Sequence, residues 1–570
     1  MATSAHGSLR STLSQIFSIL RLDRKDISAI YIFAILSGLV QLTLPIGVQT
    51  IINFVQAGTI STSIVLLIFF VVFGTFISGL LQVRQMQLIE KIQQKIFVRY
   101  SFEFADRLPK LNIQKLDNYY LPELVNRFFD TMTLQKSIAK LLLDLPTATI
   151  QILFGLILLS LYHPVFIAFG IVLAITLVFI LRATAARGFD SSIRASNYKY
   201  KVAAWFEEMA RSLKTFKYAK NTTLHLRQND KLTTEYINAR TELFGVLQTQ
   251  YWSLIAFKVA ITAAMLIVGV ILLVGSEPQL NIGQFVAAEI VILTVIASVE
   301  KFIVNLDKVY DVLTATQKLD YVTEAEVEKN GTIVLQDNTK PVSVKFDHVT
   351  FGYQPNQQVL KQLNLTVNAG EKVAIMGLSG SGRSSLLRLL TGAYLSFEGK
   401  IFIADVPIHN YQLASLRNAT GILLNQQDIF NGSLLNNITM GCTTTQLSDV
   451  TELARTLGFD NYLAHAPNGF ETILDPTGAR MSKNDKQRIL LLRALVGKHS
   501  LLLLEEPVKD LQPDEQQRVT NFLLQKTEST VIVTTDNAEL AKQFNKVIVL
   551  KDGTVAGAGH WNEVSWLFNK

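Results

Sequence analysis

Six long apolar runs limit what the first half of this chain can fold into. Each has about 20 residues or more, the length that an α-helix needs to cross the hydrocarbon core of a bilayer. The runs lie at residues 28–54, 62–82, 143–162, 164–183, 252–275 and 283–305. Because lipid cannot hydrogen-bond an exposed backbone, helices are the expected form of these runs. The sequence therefore predicts an α-helical membrane domain with six transmembrane helices, and a lipid bilayer as its partner.

The connections between these runs differ in length and charge. Those near 55–61, 162–164 and 276–282 are short and nearly uncharged, whereas 84–142 and 184–251 are long and rich in Lys and Arg. Basic loops stay on the cytoplasmic side, so we expect both long connections and both termini in the cytoplasm. These loops also account for the formal net charge of +7, so we expect no nucleic-acid partner.

Ionisable residues inside the apolar runs mark contacts between helices or with a ligand. Lys258 and Glu300 lie in antiparallel runs and are expected to meet at similar depth, and Glu289 is expected to face a central cavity. Charge pairs that only lock helices together are the alternative interpretation. The single cysteine, Cys442, excludes an intrachain disulfide and a cysteine-based metal cluster.

The sequence predicts four segments. Residues 1–27 carry apolar side chains on one helical face, which predicts an amphipathic helix on the membrane surface, with a frayed tail as the alternative. Residues 28–322 form the six-helix domain with long, helical cytoplasmic loops, and residues 323–342 are a polar linker. In residues 343–570, short apolar strands alternate with helices, which predicts an α/β domain around a buried, largely parallel sheet.

The last segment contains a P-loop pattern near its start. The stretch "IMGLSGSGRSSLLRLL", residues 375–390, gives a strand, a glycine-rich turn and a helix. Such a loop binds phosphate through backbone N–H groups, a lysine and a hydroxyl that contacts Mg²⁺. The glycine frame and the serines are present, and Arg383 replaces the lysine, keeping the charge on a bulkier planar group. The candidate nucleotide-binding residues here are Gly377, Ser379, Gly380, Ser381, Gly382, Arg383, Ser384 and Ser385.

The P-loop and its surroundings resemble those of a known family. The stretch "VLKQLNLTVNAGEKVAIMG" before the loop and "IFNGSLLNNITMG" after it are similar to the nucleotide-binding domain of ATP-binding-cassette (ABC) transporters. The whole chain resembles a half-size ABC exporter, and "APNGFETILDPTGARMS" resembles type I secretion and peptide exporters. The resemblance implies ATP as ligand, a homodimer or a heterodimer with another half-transporter, a periplasmic adaptor as a further partner, and the bacterial inner membrane as location.

The resemblance also assigns roles to individual residues, several of which depart from the family pattern. Tyr353 would stack on adenine, with a core tyrosine as the alternative, and Asn425 stands at the glutamine of the Q-loop, unless Gln426 or Gln427 fills that role. Ser482 and Asn484 belong to an altered signature, "MSKND". The following positions would act at the γ-phosphate: Glu505 (with Ser384, at Mg²⁺), Glu506 (general base) and Asp536 (in place of the switch histidine).

These departures all concern the γ-phosphate. The resemblance implies composite sites shared between two chains, so this chain would impair both sites in any dimer. Losing several catalytic groups costs many powers of ten in rate. We therefore expect very low or absent ATP hydrolysis, weak ATP binding and doubtful Mg²⁺ binding, in a chain that exports peptide or protein or regulates a transporter. An active ATP-driven exporter and a non-transporting membrane scaffold are the alternatives. Coupling segments are expected near residues 118–129 and 212–221.

Overall fold

A computed structural model of the chain divides into two compact units. It describes residue 16 and residues 20–58, 62–116, 121–274, 279–335, 339–354, 356–474 and 481–567. The membrane unit comprises Met1–Leu111 and Asn118–Glu326, and the nucleotide unit comprises Asn112–Asp117 and Val327–Lys570. The boundary at 326/327 falls inside the predicted linker. Most of the predicted amphipathic segment lies outside the described residues.

The helices of the first part of the chain are numbered in chain order. They are α1 (Arg24–Gln41), α2 (Thr43–Gln56), α3 (Thr62–Arg107), α4 (Ile113–Leu116), α5 (Leu121–Asn126), α6 (Asp130–Tyr162), α7 (Val165–Arg211), α8 (Leu213–Tyr218), α9 (Leu224–Val274), α10 (Ile282–Val304) and α11 (Leu306–Thr323). Single 3₁₀ turns at Leu108–Lys110 and Arg127–Phe129 follow α3 and precede α6.

Six stretches of helix among the described residues are long and apolar enough to cross a membrane. They are Arg24–Gln56, Thr62–Lys110, Leu121–Tyr162, Val165–Arg211, Leu224–Val274 and Ile282–Thr323. The prediction of six spans is thereby confirmed, and several helices extend far beyond the apolar run that nucleates them. Large apolar side chains of α3, such as Phe69, Phe70 and Phe76, are exposed, as expected of a surface that faces lipid.

The first span differs from its prediction. The sequence predicts one helix over 28–54, whereas the structure has α1 and α2, which meet at Leu42. Pro45 lies in the first turn of α2, where its missing N–H leaves no intrahelical bond unmade. A proline there is compatible with a helix that begins immediately before it. The composition on both sides of the break is equally apolar, so hydropathy alone did not reveal it.

Buried side chains fix the packing of the membrane unit. An apolar cluster joins α6, α7, α9 and α10, with Leu159, Val295 and Ile296 almost fully buried. Closer to α11, the buried Gln250 donates hydrogen bonds to the Thr184 hydroxyl at 2.7 Å and to the Tyr310 hydroxyl at 3.0 Å. A buried polar group is stable only when it is paired in this way.

The predicted ion pair between spans is present. The Lys258 ammonium lies 3.0 Å from the Glu300 carboxylate, which joins α9 to α10 as expected from their antiparallel directions. Both side chains are about half exposed, so this contact is consistent with the interpretation that the pair locks two helices together.

The described residues of the nucleotide unit form two sheets. The strands are β1 (Val344–Phe351), β2 (Leu360–Val367), β3 (Lys372–Gly377), β4 (Glu398–Ile403), β5 (Val406–Pro407), β6 (Thr420–Leu423), β7 (Leu501–Glu505), β8 (Thr530–Thr534), β9 (Lys546–Lys551) and β10 (Thr554–Gly559). A four-stranded antiparallel sheet has the order β2-β1-β4-β5, and a six-stranded sheet has the order β10-β9-β3-β8-β7-β6.

The six-stranded sheet is the predicted one. Strands β9, β3, β8, β7 and β6 are parallel, and β10 joins the edge in the antiparallel sense. Strands β3, β7 and β8 are buried along their whole length, which agrees with their continuous apolar sequences. The separate antiparallel sheet was not predicted.

Short helices cover this sheet. They are α12 (Arg383–Leu390), α13 (Leu413–Asn418), α14 (Leu434–Thr439), α15 (Leu447–Leu457), α16 (Asp460–Ala464), α17 (Lys483–Leu495), α18 (Pro513–Gln525), α19 (Ala538–Ala541) and α20 (Trp561–Val564), with 3₁₀ turns at Ile408–Asn410, Gly469–Glu471 and Ser565–Leu567.

Two connecting segments are placed by specific contacts within the nucleotide unit. Arg417 donates two hydrogen bonds of 2.7 Å to Glu328, which anchors the first residues after the boundary. The short helix α4 belongs to this unit, and its Gln114 accepts a hydrogen bond from the Ser396 amide at 3.3 Å. The segment grouped with the nucleotide unit is therefore Asn112–Asp117, immediately before the coupling segment predicted near 118–129.

Candidate nucleotide site

The phosphate-binding loop has the predicted backbone. Strand β3 ends at Gly377, and α12 begins at Arg383 after Gly382, whose φ is +98°. A Cβ at Gly382 would lie 2.6 Å from the Leu360 side chain, and one at Gly377 would lie 2.4 Å from the Leu550 carbonyl oxygen. Only glycine fits both positions. The cradle at the helix N-terminus is thus preserved.

The serines of the loop have different surroundings. Ser381 is buried, and its hydroxyl has no hydrogen-bond partner within the described part of the chain. Ser385 is also buried and hydrogen-bonds the Tyr353 hydroxyl at 3.0 Å. Ser379 is exposed next to Gly380. Ser381 is thus the serine of this loop with a buried, unused hydroxyl.

Three side chains that follow three neighbouring strands meet beside the loop. Arg383 Nη1 lies 2.5 Å from Asp536 Oδ1 and 3.8 Å from Glu506 Oε1, and it donates a hydrogen bond of 2.8 Å to the Thr535 carbonyl. The strands β3, β8 and β7 are adjacent and parallel, so their carboxyl ends open at the same edge of the sheet. The cation that replaces the P-loop lysine is therefore paired with the carboxylate that replaces the switch histidine.

Glu506 lies at a constrained position in this cluster. Its φ is +49°, and its carboxylate accepts a hydrogen bond from the Thr535 hydroxyl at 3.2 Å. Burial raises the pKa of Glu506, and the nearby Asp536 raises it further, while Arg383 acts in the opposite direction. A raised pKa suits a general base, because it makes the carboxylate a better proton acceptor.

Ser384 and Glu505 form the candidate metal site. The Ser384 hydroxyl donates to Glu505 Oε1 at 2.5 Å, and Glu505 Oε2 accepts a hydrogen bond from the Asn425 amide at 2.9 Å. Hydroxyl and carboxylate oxygens are ligands that Mg²⁺ accepts, so the donor types fit this ion. The extra methylene of glutamate relative to aspartate lets Glu505 reach the serine directly, and binding a metal there requires this contact to open.

The Q-loop alternatives are separated by their contacts. Gln427 accepts a hydrogen bond from the Leu424 amide at 3.1 Å, so its side chain closes the turn of its own loop. Asn425 contributes its backbone to Glu505, and its side chain is exposed, as is that of Gln426. Gln427 is thus the candidate whose side-chain oxygen already accepts a hydrogen bond within its own loop.

Ser482 and Asp485 of the altered signature hydrogen-bond each other at the N-terminus of α17. Ser482 caps α17 by accepting a hydrogen bond from the Asp485 amide at 3.1 Å, and its hydroxyl donates to the Asp485 carboxylate at 2.7 Å. Arg488 then joins Asp485 at 2.6 Å to Glu515 at 2.9 Å. Asn484 lies half-buried in the first turn of α17. The serine that the family pattern assigns to a phosphate is thus bonded to a carboxylate.

The ring of Tyr353 belongs to an aromatic cluster. It makes edge contacts with Phe351 at 5.0 Å and Tyr394 at 5.4 Å, and its hydroxyl accepts a hydrogen bond from Arg388 at 2.8 Å. The side chain is half-buried. These contacts fix the ring at the end of β1, in the surroundings of a core tyrosine with one part still exposed.

Comparisons with known families identify two domains in this chain. Residues 27–299 match the family model of the ABC transporter transmembrane region, and residues 360–509 match that of the ABC transporter. This chain has the architecture of a half-size ABC exporter. The structure of a bacterial Atm1-family ABC exporter with ATP bound has the same fold, with a TM-score of 0.84, 20% identity and 96% of each chain covered.

Curated relatives match this chain over part of their length. The mitochondrial iron-sulfur clusters transporter ATM1 of Debaryomyces hansenii is 32% identical over 40% of this chain and 33% of its own. The lactococcin-G-processing and transport ATP-binding protein LagD of Lactococcus lactis is 24% identical over 51% and 41%. The ATP-dependent lipid A-core flippase of Legionella pneumophila is 24% identical over 58% and 56%. The chain thus spans between a third and a little over half of these relatives.

Sequence reasoning missed Thr535 as a residue of the candidate site. Its carbonyl and hydroxyl contact Arg383 and Glu506, respectively. The signal was its position at the end of the apolar run that forms β8, directly before the substituted switch residue. A residue at the carboxyl end of a central parallel strand lies at the ligand edge of the sheet.

The membrane unit contains a second candidate site. A cavity of about 380 Å³ is lined by residues of α1, α2, α3, α6 and α10, among them Gln41, Thr75, Gln82 and Gln151. Gln151 donates a hydrogen bond to Gln41 at 2.5 Å and accepts one from Ser298 at 2.8 Å. Glu289 is half-buried, and Ile290 and Val291 next to it line this cavity. Uncharged amides and hydroxyls therefore supply the polar surface.

Proposed function

We propose that this half-size ABC exporter works as a dimer whose nucleotide units bind nucleotide and hydrolyse ATP very slowly or not at all. The observation that carries the proposal is the contact of Arg383 with Asp536, Glu506 and the Thr535 carbonyl. Catalysis of phosphoryl transfer consists mainly of positioning and charge neutralisation around the γ-phosphate. Here Arg383, at the lysine position of the loop, is already paired with carboxylates of its own chain.

The other residues at the γ-phosphate support this proposal. Asp536 can only accept hydrogen bonds when it is ionised, whereas the histidine of the family pattern donates one. Ser384 and Glu505 would hold Mg²⁺, which neutralises phosphate charge when bound, and at present they hydrogen-bond each other. Ser482 is bonded to Asp485. Each group that should contact the γ-phosphate is thus bonded elsewhere or carries the wrong charge.

Phosphate release from Mg-ATP by the full-length protein in lipid nanodiscs tests the proposal. We expect the wild-type rate to equal that of Glu506→Gln, the variant that removes the general base. Glu539→Gln is a matched control, because Glu539 is an exposed carboxylate paired with Lys542 near the same edge. Sustained turnover that Glu506→Gln abolishes and Glu539→Gln retains would refute the proposal.

An active ATP-driven exporter is the second candidate function. The retained Glu506, with its raised pKa and its hydrogen bond from Thr535, favours it. In this case Arg383 would release Asp536 when ATP binds. The same phosphate-release assay separates the two candidates, because only an active exporter shows turnover that depends on Glu506.

The assembly and location are also proposed. We infer a homodimer, or a heterodimer with another half-transporter, in the bacterial inner membrane with both termini in the cytoplasm. The basic loops at 84–142 and 184–251 support this orientation. The mass of the complex extracted in detergent, together with accessibility of a terminal tag in inverted vesicles, tests both statements. A monomeric complex or an externally accessible terminus would contradict them.

For the cargo we propose a peptide or protein, with a periplasmic adaptor as a further partner. The amides of Gln41, Gln82 and Gln151 at the membrane cavity match the hydrogen-bonding groups of a peptide backbone. A photo-crosslinking residue in place of Gln82 should capture the cargo in cells, and one at the exposed, lipid-side Phe70 serves as the control. Equal capture at both positions would refute the cavity as the cargo site. A role in regulating another transporter or as a scaffold predicts no capture at Gln82.

A further inference from the structure

The site retains the backbone cradle that holds a diphosphate. In a P-loop the backbone N–H groups surround the α- and β-phosphates, and the lysine reaches the β- and γ-phosphates. The glycine-based turn and the N-terminus of α12 are present here. Inside the same loop, the buried Ser381 hydroxyl has no partner among the described residues. The part of the site that contacts two phosphates is therefore available.

The contacts of a third phosphate are occupied. Arg383, the residue in the lysine position, is only 13% exposed and lies 2.5 Å from Asp536 and 3.8 Å from Glu506. A γ-phosphate has to separate Arg383 from Asp536 and then lie near two carboxylates. Placing like charges side by side is unfavourable. The Asp536 carboxylate thus pairs with the cation that would otherwise contact the γ-phosphate.

The candidate Mg²⁺ ligands, Ser384 and Glu505, are also already hydrogen-bonded within the chain. The Ser384 hydroxyl donates a hydrogen bond to Glu505, which also accepts one from the Asn425 backbone N–H. Both carboxylate oxygens are therefore satisfied by groups of the chain. A diphosphate held by backbone N–H groups and a helix N-terminus does not need a metal to neutralise a third phosphate.

We propose that this site is selective for nucleoside diphosphates over triphosphates, with little dependence on Mg²⁺. This inference rests on the nucleotide binding in the proposed function and deepens it. In this arrangement the unit responds to the nucleotide that an ATPase would release, and Asp536 is the specificity-determining residue.

Equilibrium binding of ADP and ATP to the full-length protein in nanodiscs tests the selectivity. Each nucleotide is titrated with Mg²⁺ and with EDTA, the latter excluding Mg²⁺-dependent hydrolysis. We expect ADP to bind at least about tenfold more tightly than ATP, equivalent to about 1.4 kcal/mol, with ADP affinity within about twofold between the two buffers.

Asp536→Asn removes the carboxylate with little change in shape. This variant should raise ATP affinity about tenfold and leave ADP affinity within about twofold. Glu539→Gln removes a nearby exposed carboxylate that pairs with Lys542 instead, and it should leave both affinities unchanged. Equal wild-type affinities, tighter ATP binding, or a selectivity that Asp536→Asn leaves unaltered would overturn the inference.

Phosphate release in the same preparation separates this inference from the proposed function. ADP selectivity together with sustained turnover refutes the slow-hydrolysis proposal and leaves the selectivity standing. Absence of any nucleotide binding refutes the selectivity, while the absence of hydrolysis stands. Pyrophosphate is a further probe, and its failure to compete with ADP would refute the diphosphate cradle itself.

Discussion

The contact between Arg383 and Asp536 predicts an energetic coupling that a double-mutant cycle can measure. Two unit charges about 4 Å apart attract by about 4 kcal/mol at an effective dielectric constant of 20. Here Asp536 is 67% exposed and Arg383 is 13% exposed. Exposed pairs contribute only about 0.2–1 kcal/mol because water and salt screen them. We therefore expect a coupling near the upper end of that range, about 1 kcal/mol.

The single substitutions should differ in their cost. Asp536→Asn loses the pair and relieves repulsion of Glu506, so it should cost about 0.5 kcal/mol or less. Arg383→Gln leaves two carboxylates together and weakens the bond to the Thr535 carbonyl, at a cost of about 1–3 kcal/mol. The double variant should be more stable than Arg383→Gln alone, because Asp536→Asn removes one of the two repelling charges.

Calorimetry of the full-length protein in nanodiscs measures these differences. For a unit of this size, about 1 kcal/mol shifts the melting temperature by about 2–4 °C. The coupling should weaken when the salt concentration rises, since the Debye length falls to about 3 Å at 1 M. Additive effects of the two substitutions, at low salt, would refute the claim that Arg383 is held by Asp536.

Further predictions concern the same unit and the membrane unit. Glu506→Gln should stabilise the protein at pH 7, and this gain should be lost below pH 4.5, the ordinary pKa of a glutamate. Because the pKa of Glu506 is raised in the folded state, its ionisation destabilises the folded protein as pH rises. Melting temperatures measured across this pH range test the prediction. Gly188→Ala should destabilise by about 1–3 kcal/mol, since its Cβ would lie 2.3 Å from the Tyr310 ring, whereas Gly79→Ala, with free space around it, should not. Cys442 should react rapidly with a maleimide at neutral pH and slowly at pH 5. The reason is that hydrogen bonding from the Thr444 hydroxyl lowers the pKa of this exposed thiol to about 7.

The six membrane helices could be predicted because each depends on its own local sequence and hardly on contacts with distant residues. A run of about 20 apolar residues has few alternatives to a membrane helix, and six such runs gave six spans. The break at Leu42 could not be predicted, since both sides are apolar and Pro45 is compatible with either a kink or a helix start. The Lys258–Glu300 pair could be predicted because antiparallel helices bring residues of similar depth together.

Candidate residues of the site were proposed one by one from the sequence, but their contacts were not. The P-loop pattern indicated Arg383, and the resemblance to ABC transporters assigned roles to Glu506 and Asp536. Their meeting depends on the strand order β3-β8-β7, which local sequence does not determine. The same holds for Ser384, which is adjacent to Arg383 in sequence and bonds to Glu505 at the end of β7.

The contacts change how the substitutions should be understood. Considered singly, Arg383 and Asp536 are each a departure from a catalytic pattern. In the structure, each gives the other an oppositely charged partner, and Glu505 has the length that reaches Ser384. Random loss of catalytic residues would leave unpaired charges at the carboxyl edge of the sheet, and an unpaired buried charge is costly. The substitutions instead form a set of mutual contacts beside the phosphate loop, Arg383 with Asp536 and Ser384 with Glu505. In such a site Arg383 already has a carboxylate partner, so the proposed absence of hydrolysis and the proposed preference for a diphosphate would have the same physical origin.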